Sequence, residues 1–240
     1  QIADQLRAQI VSEQLAPGQK LPSERELMET YDTARATIRQ ALRVLLAEGL
    51  VESRRGVGVF VRQRGPVRRL AADRFARRHR EAGKAALTYE AESQGRTVRQ
   101  ELLELAEVPA PETVAVRLDI DEDKPVFVRR RRMFIDETPM QLADSYFPLE
   151  IAQGRIREEN SGPGGVYARI EDAGHTLTRF TEELSFRMPT PDEARALHLG
   201  SGVPVIDLIR IAYAGDHPVE VFTAVMAGDK HIFQYEFPAT

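Results

Sequence analysis

The sequence contains no cysteine among its 240 residues. Disulfide bonds, thiolate metal sites and cysteine nucleophiles are therefore excluded, and the composition suits a reducing compartment. No stretch approaches the roughly 20 apolar residues of a membrane-spanning helix, and no basic-then-apolar leader opens the printed sequence. We therefore expect a cytoplasmic protein that does not associate with a membrane. The chain begins at Gln1 rather than at a methionine, and we expect natural residues to precede it.

The sequence also has little that would indicate catalysis. Its five histidines are scattered, and none stands in an HExxH motif or another metal-binding spacing. No motif marks an activated nucleophile, and the glycine-rich loop at 162–165 lacks the Lys-Ser/Thr pair of a phosphate-binding loop. We therefore expect no enzymatic activity, no cofactor and no bound metal.

Charge is distributed unevenly along the chain. The formal net charge is -4, but residues 1–70 hold 12 Lys and Arg against 8 Asp and Glu, whereas residues 71–240 hold 21 against 29. Chance could produce this asymmetry, since the positive excess is modest. It nevertheless favours a basic module that attracts phosphate, joined to an acidic module with another role.

The first seventy residues have the periodicities of three helices followed by a hairpin. Apolar spacing predicts the helices over 1–12, 23–31 and 34–48. Ser23 is positioned to cap the second helix, with Glu26 completing a capping box. Two short strands on either side of the turn 54–57 are predicted over 50–53 and 58–61.

The third helix combines a buried face with a basic stripe. Four apolar residues share the buried face: Ile38, Ala41, Leu42 and Leu45. Arg35, Arg39 and Arg43 recur at every fourth position beside it, and Arg54 and Arg55 occupy the hairpin tip. Each arginine alone is typical of a solvated surface. Together, after a tight helical turn, they favour a helix in the DNA major groove and a hairpin that reaches a neighbouring backbone or minor groove.

This segment resembles the GntR family of bacterial regulators. The matching runs are Leu15 to Leu27 (LAPGQKLPSEREL), Arg35 to Leu42 (RATIRQAL), Gly49 to Val51 (GLV) and Gly56 to Val61 (GVGVFV). The resemblance implies a winged helix-turn-helix over 1–62, with operator contacts from Arg25, Arg35 and Arg39 and supporting contacts from Thr37 and Gly56. The full set of predicted DNA contacts is Ser23, Arg25, Thr33, Arg35, Thr37, Arg39, Arg54, Arg55, Gly56 and Gly58.

The turn before the third helix departs from the family pattern. Where Gly-Val-Ser is usual, this chain has Asp32, Thr33 and Ala34. Asp tolerates a left-handed backbone better than most residues other than glycine, so we expect Asp32 to fill the turn. Ala34 cannot cap the helix, so either Thr33 caps it or that phosphate contact is lost.

Residues 63–84 are predicted to form a linker between two domains. The stretch from Arg62 to Lys84 is rich in Arg, Ala and Gly, and it carries ten basic residues. Part of it, from Leu70 to Arg80, has helical character. A solvated connector is favoured over a specific DNA-contacting arm.

From residue 85 to residue 240 the pattern changes to alternating strands and short helices. Strands are predicted over 98–107, 113–120, 126–135, 140–147, 176–187, 203–214, 219–227 and 232–237. Short helices are predicted over 148–156, 166–173 and 192–197. Mostly antiparallel strands with peripheral helices indicate an α+β domain.

This second domain resembles the UTRA domain of the HutC subfamily of GntR regulators. The segments that carry the resemblance are Val128 to Pro139 (VRRRRMFIDETP), Ser145 to Pro148 (SYFP), Gly202 to Val205 (GVPV), Pro218 to Val221 (PVEV) and Gly228 to His231 (GDKH). The resemblance implies a chorismate-lyase-like antiparallel sheet, homodimerisation and a pocket for a small molecule.

Six residues are predicted to form this effector pocket: Arg131, Ser145, Tyr146, Arg179, Glu220 and His231. Arg131 is expected to hold a carboxylate or another anion, and Tyr146 is expected to stack on a ring. For Arg179 and Glu220 an ordinary ion pair is an equally good explanation. Alternate arginines of the run 129–132 face opposite sides of a strand, so one pair points away from the pocket.

The effector is not expected to be a phosphosugar. Relatives with such effectors have Arg-x-Arg on the strand and a glutamate soon after the turn proline; the corresponding residues are Arg131, Met133 and Ala143, and only the first is kept. Loss of an anion-clamping arginine and of a sugar-facing carboxylate is unfavourable for this ligand class. Ala227 and His231 stand where an arginine and a tyrosine are common, which points the same way.

The sequence thus predicts a ligand-responsive transcriptional repressor that binds a palindromic operator in double-stranded DNA as a homodimer and is released by a small-molecule effector. Two alternatives stay open. One is an enzyme, because the fold class of the second domain includes a lyase. The other is an architectural DNA-binding protein without an effector, which the absence of a closed apolar pocket would favour.

Overall fold

In the computed structural model, which describes residues 2–12, 14–54, 56–62, 65–70 and 73–236, the chain divides into two units. These units are Gln1–Gly65 and Pro66–Thr240. None of the described helices is both long enough and apolar enough to cross a membrane.

The first unit consists of three helices and a hairpin: α1 (Ile2–Val11), α2 (Glu24–Tyr31), α3 (Arg35–Ala47), β1 (Val51–Arg54) and β2 (Gly58–Val61). The two strands pair antiparallel, and Lys20 forms an isolated bridge to Phe60. The core contains Leu6, Leu21, Leu27, Ile38, Leu42, Leu45, Val51 and Val61. Each helix contributes one apolar stripe to this core. The order of the helices and strands is the one that the sequence predicted.

Local backbone chemistry defines the turn between α2 and α3. Asp32 adopts the left-handed conformation, with φ 42° and ψ 57°, as predicted. Ser23 caps α2, and its capping box with Glu26 is complete, which is also as predicted. Ala34 stands at the N-cap of α3, which has no side-chain cap, so Thr33 does not supply one.

The second unit contains a six-stranded antiparallel sheet and a small two-stranded sheet. The small sheet pairs β3 (Val67–Leu70) in parallel with the last strand, β10 (His231–Gln234). The strands of the large sheet are β4 (Val98–Pro109), β5 (Pro125–Ile135), β6 (Thr138–Pro148), β7 (Leu177–Arg187), β8 (Val205–Ala214) and β9 (His217–Ala227). Their order across the sheet is β4-β5-β6-β9-β8-β7, which agrees with the predicted α+β class.

Helices cover both faces of the large sheet. They are α4 (Arg77–Glu81), α5 (Ala86–Glu92), α6 (Glu112–Leu118), α7 (Gly165–Asp172) and α8 (Pro191–Ala196). On one face α7 contributes Tyr167 and Ile170 to a core that includes Phe147. On the opposite face, Val114 and Leu118 of α6 pack in a second core.

Two of the predicted elements are wrong. Residues 113–120, predicted as a strand, contain most of α6. The helix forms because Val114, Ala115 and Leu118 bury one side of it, which outweighs the strand preference of its valines. The helix predicted over 148–156 is also absent from this described segment; it has a turn followed by a short 3-10 helix, Gly154–Arg157.

Residues 66–84 belong to the second unit, which differs from the predicted linker. Strand β3 pairs with β10, and Arg69, Arg74 and Arg80 are buried. Arg80 donates from Nε to Glu171 on α7 at 2.9 Å. These three arginines are held in buried ion pairs, whereas Arg77 and Arg78 of the same stretch stay exposed, as expected of a solvated connector.

Candidate functional site

The exposed side of α3 carries two arginines that one carboxylate holds together. Arg35 and Arg39 are 65% and 57% exposed. Their Nε atoms donate to the two oxygens of Glu24, at 2.7 Å from Arg35 and 2.9 Å from Arg39. The hydrogen bonds from Arg35 and then Arg39 lower the pKa of Glu24, so this carboxylate stays ionised. Two guanidinium groups are thus pre-positioned on one helical surface.

The other predicted contacts on the helices lie on the surface of the first unit. Ser23 and Thr37 are exposed, and Thr33 is half-buried. Arg25 is exposed and pairs with Glu29 at 2.8 Å. A surface formed by the start of α2 and the exposed side of α3 therefore contains several side chains that can donate to phosphate or to base edges.

The hairpin tip contributes a further cation. Arg54 is exposed, and its guanidinium lies 4.2 Å from the ring centroid of Phe60. Gly56 and Gly58 have φ values of 74° and 137°, which glycine adopts without strain. These two glycines shape the turn that presents the tip. Arg55 lies outside the described residues.

A cavity of about 520 Å³ lies in the second unit, on the face of the large sheet that carries Arg131. This volume falls in the range of small-molecule sites. The sheet residues that line it are Val98, Gln100, Arg131, Met133, Gln141, Ala143, Ser145, Arg210, Glu220 and Phe222. The start of α5 and the loop 159–165 before α7 contribute other walls.

Three of the six predicted pocket residues meet at this cavity: Arg131, Ser145 and Glu220. Arg131 Nη2 donates to Ser145 Oγ at 2.6 Å. Arg131 Nε and Glu220 Oε2 are buried and have no hydrogen-bond partner among the described residues. Burial lowers the pKa of Arg131, but a guanidinium starts from so high a value that it stays charged. Two residues that line the cavity, one basic and one acidic, therefore each have a polar atom without a hydrogen bond.

Tyr146 does not line the cavity, although its neighbour Ser145 does. Successive residues of a strand face opposite sides, and Tyr146 packs instead with Val128 and Val221 in the core beneath α6. The alternation that places the four arginines of β5 on two opposite faces of the sheet therefore also places Ser145 and Tyr146 on opposite faces. The ring-stacking role predicted for Tyr146 is not available in this arrangement.

Arg179 and His231 also lie away from the cavity. Arg179 is exposed and stacks 3.6 Å from the ring centroid of Tyr213; no ion pair joins it to Glu220 among the described contacts. His231 is buried on β10, where its Nδ1 lies 2.9 Å from the carbonyl oxygen of Ala227. Burial lowers the pKa of His231 to about 4, so this side chain is neutral.

Several cavity residues escaped the sequence analysis. Arg69 and Arg74 line the cavity from the segment predicted as a linker, and Arg210 lines it from β8. Arg210 Nε donates to the hydroxyl of Tyr167 at 2.8 Å. One signal could have identified Arg210, because it is a lone cation within an otherwise apolar stretch of β8, Leu208 to Ala212. Nothing comparable marks Arg69 or Arg74, whose partners are distant in sequence.

Arg129 shares the face of Arg131 but has a different role. Its side chain is fully buried, and its guanidinium donates to the carbonyl oxygens of Ile156, Glu158 and Glu159. Burial lowers the pKa of Arg129 to about 10, so it remains protonated at neutral pH. It anchors the loop that continues into one wall of the cavity.

Known proteins resemble both units. Residues 1–61 match the model of the gntR family of bacterial regulatory proteins, and residues 93–232 match the UTRA domain. An uncharacterized HTH-type transcriptional regulator of Streptomyces coelicolor is 31% identical, over 99% of this chain and 91% of that protein. The HTH-type transcriptional repressor NagR of Bacillus subtilis is 29% identical, over 97% of this chain and 91% of that protein. The crystal structure of PhnF from Mycobacterium smegmatis covers 100% of both chains with a TM-score of 0.65 at 26% identity.

Proposed function

The chain belongs to the GntR family of bacterial regulatory proteins and carries a UTRA domain, and on this basis we propose that it represses transcription by binding a palindromic operator as a homodimer until a small molecule releases it. It is a ligand-responsive DNA-binding regulator. The observation that carries the proposal is the pairing of Arg35 and Arg39 on the exposed side of a helix, in a chain that also contains a cavity lined by several charged side chains. The family consists of transcriptional regulators rather than enzymes, and we propose a cytoplasmic location.

The recognition surface supports the DNA-binding part of the proposal. Helix α3 exposes Arg35 and Arg39 on a stripe that flanks its buried face, and Arg54 lies at the neighbouring hairpin tip. Arginine reads guanine through two hydrogen bonds in the major groove. In a homodimer the two α3 helices enter successive major grooves of an inverted repeat, with half-sites roughly one turn apart.

The large sheet supplies a surface suited to dimerisation. On the face opposite the cavity, Leu142, Ile209, Thr223 and Val225 are only half-buried. They occupy adjacent strands, because Leu142 pairs with Val225 and Ile209 pairs with Thr223. A partly apolar, partly uncovered sheet face of this kind is typical of a protein interface. A second copy of the chain is the partner we propose for it.

The cavity supports an effector over the alternative of an architectural protein without one. Arg131 Nε and Glu220 Oε2 are buried and free of hydrogen bonds among the described residues. Unsatisfied buried polar groups are costly unless a ligand or water completes them. A ligand that brings an acceptor to Arg131 and a donor to Glu220 would satisfy both groups.

The test is a pull-down of genomic DNA fragments on the 240-residue chain at moderate salt, repeated in the presence of metabolite pools. We expect enrichment of one short inverted repeat, which is lost with at least one pool. Binding without any enriched sequence would refute specific operator recognition. An enriched repeat that no pool releases would refute the effector-controlled repressor in favour of an architectural protein.

A further inference from the structure

Part of the cavity wall comes from a segment that neither family model covers. The two matches end at residue 61 and begin at residue 93. Between them, Arg69 on β3 and Arg74 just after it both line the cavity. Arg69 follows the boundary between the units, Gly65 and Pro66, by only a few residues. The chain therefore reaches the cavity wall almost directly after it leaves the first unit.

These two arginines belong to a buried cluster of five charged side chains. Arg74 Nε lies 2.8 Å from Glu90 Oε1. A single oxygen of Glu182 lies 3.5 Å from Arg69 Nη2, 3.6 Å from Arg74 Nη1 and 3.4 Å from Arg210 Nη1. The side chains of all five residues are at least 89% buried, since none exceeds 11% exposure.

Charges in this cluster do not balance. Three guanidinium groups share Glu90 and Glu182. The buried Glu220 also faces Arg210, but it faces Arg131 as well, so four guanidinium groups meet three carboxylates and an excess of one positive charge remains away from bulk water. Such a charge is costly to bury without a partner. Moreover, Arg69 Nε and both Arg74 Nε and Nη1 are buried without a hydrogen bond of good geometry among the described residues, as are the Glu90 oxygens. Surplus positive charge and unsatisfied polar atoms thus occur together in arginines that form a cavity wall.

We propose that Arg69, Arg74 and Arg210 form an anion subsite of the cavity, which takes a carboxylate or phosphate group of a small molecule. This inference rests on the proposed function, because it takes the cavity to be the effector site. Glu90 and Glu182 do not line the cavity, so an incoming oxyanion meets the three arginines and not the carboxylates behind them. An anion bound to Arg69 contacts β3, the first strand after the DNA-binding unit. Occupancy of the subsite therefore acts on the segment that leads to that unit.

The experiment is calorimetric titration of the full-length chain with inorganic phosphate in one arm and succinate in the other, with glycerol as a neutral probe. Three variants are compared with the natural sequence. Arg74→Met removes an arginine of the subsite, and Glu182→Gln raises the positive excess without changing the shape of the side chain. Arg80→Met is the matched control, because Arg80 is equally buried and pairs with Glu171 away from the cavity lining.

We expect at least one of the two anions to bind. Its affinity should be about tenfold weaker for Arg74→Met, because charge-assisted hydrogen bonds are the strong ones. The affinity should be several-fold tighter for Glu182→Gln and unchanged for Arg80→Met. The arm that responds identifies phosphate or carboxylate as the preferred group. Binding of neither anion at about 10 mM overturns the proposal, because even a weak site would register there. Equal losses in Arg74→Met and Arg80→Met, or no gain in Glu182→Gln, also overturn it.

Failure of the subsite and failure of the proposed function can be told apart. The titration involves no DNA. If the chain binds the anion but enriches no operator, the subsite is supported and the repressor function is refuted. If the chain enriches an operator but binds neither anion, the DNA-binding function is supported and the subsite is refuted.

Discussion

Glu24 at the start of α2 accepts a hydrogen bond from Arg35 at the start of α3, with 2.7 Å between Oε2 and Nε. Its second oxygen accepts from Arg39 at 2.9 Å. On the DNA-binding surface that we propose, a carboxylate repels phosphate, so its presence needs a compensating role. By holding two long side chains in place before DNA arrives, it reduces the side-chain entropy that binding must remove.

Glu24→Ala should therefore reduce discrimination while it raises general affinity for DNA. Releasing the two arginines makes the surface more positive, so binding to non-operator DNA strengthens and its salt dependence steepens by up to about 0.9 per added phosphate contact. The ratio of operator to non-operator affinity should fall about tenfold, because the base-reading geometry is no longer pre-positioned. Binding isotherms on both DNAs across a range of salt measure these effects.

Glu48→Ala is the control for Glu24→Ala. It removes the same negative charge from the first unit, but Glu48 pairs with Arg7, which is not a predicted DNA contact. If both variants change the specificity ratio equally, net charge rather than positioning explains the effect, and the role assigned to Glu24 is wrong.

Ala143→Phe should separate ligand response from DNA binding. Ala143 lies on the cavity face of β6 opposite Arg131, and a benzyl group there fills part of the cavity. Operator binding should stay unchanged, whereas the concentration of an active metabolite pool needed for release should rise at least about tenfold. Ala173→Phe, at the exposed C-cap of α7, should leave release unchanged. Normal release from Ala143→Phe would contradict assignment of the effector to this cavity.

The buried cluster should make anion binding depend on pH through Glu90. Burial raises the pKa of Glu90 from 4.5 to about 7; Arg74 and Arg210 oppose this shift, and Glu182 adds to it. Arg69 also faces Glu90, at 3.9 Å. Because the folded-state pKa lies above the unfolded one, the stability contributed by protonation is full below pH 4.5 and is lost as pH rises through about 7.

Protonated Glu90 increases the positive excess of the cluster, so anion affinity should fall as pH rises. We expect a decrease of about threefold or more in sulfate affinity between about pH 6 and pH 8, with sulfate chosen because it does not titrate there. Titration of Glu90→Gln should show no such decrease. An identical pH dependence in that variant would rule out Glu90 as its source.

Adjacent arginines of β5 should differ sharply in their effect on stability. Arg129→Met removes the donor to three carbonyl oxygens, the one of Ile156 buried and those of Glu158 and Glu159 partly buried, which should cost about 2–4 kcal/mol in the free energy of unfolding. Arg130→Met, one position along, loses half-exposed pairs with Glu104 and Asp144 and a hydrogen bond to Tyr146, and should cost less than about 1 kcal/mol. Chemical denaturation of the full chain, following the transition of the second unit, provides the comparison. Similar costs for the two variants would contradict the role assigned to Arg129.

Much of the first unit was predictable because its determinants are local. The capping box of Ser23 and Glu26 and the left-handed turn at Asp32 involve residues within a few positions of one another. The face of α3 follows from a period that a single helix imposes on its own residues. Alternation along β5 likewise predicted that one pair of its arginines points away from the pocket, and the resemblance selected Arg131 for it. The same rule, applied to β6, would have shown that Ser145 and Tyr146 cannot both face the pocket.

By itself, the sequence determined the order of elements in the first unit, the arginines of its proposed recognition surface and the resemblance of both units to one family of regulators. These properties depend on side-chain type and on spacing along the chain. Only the tertiary structure decided which charges surround the cavity. Arg69 and Arg74 resembled linker residues because their partners Glu90 and Glu182 approach them only once β3 has paired with β10 and the large sheet has formed. The energy of a buried charge depends on neighbours in space, which no local pattern in the sequence encodes.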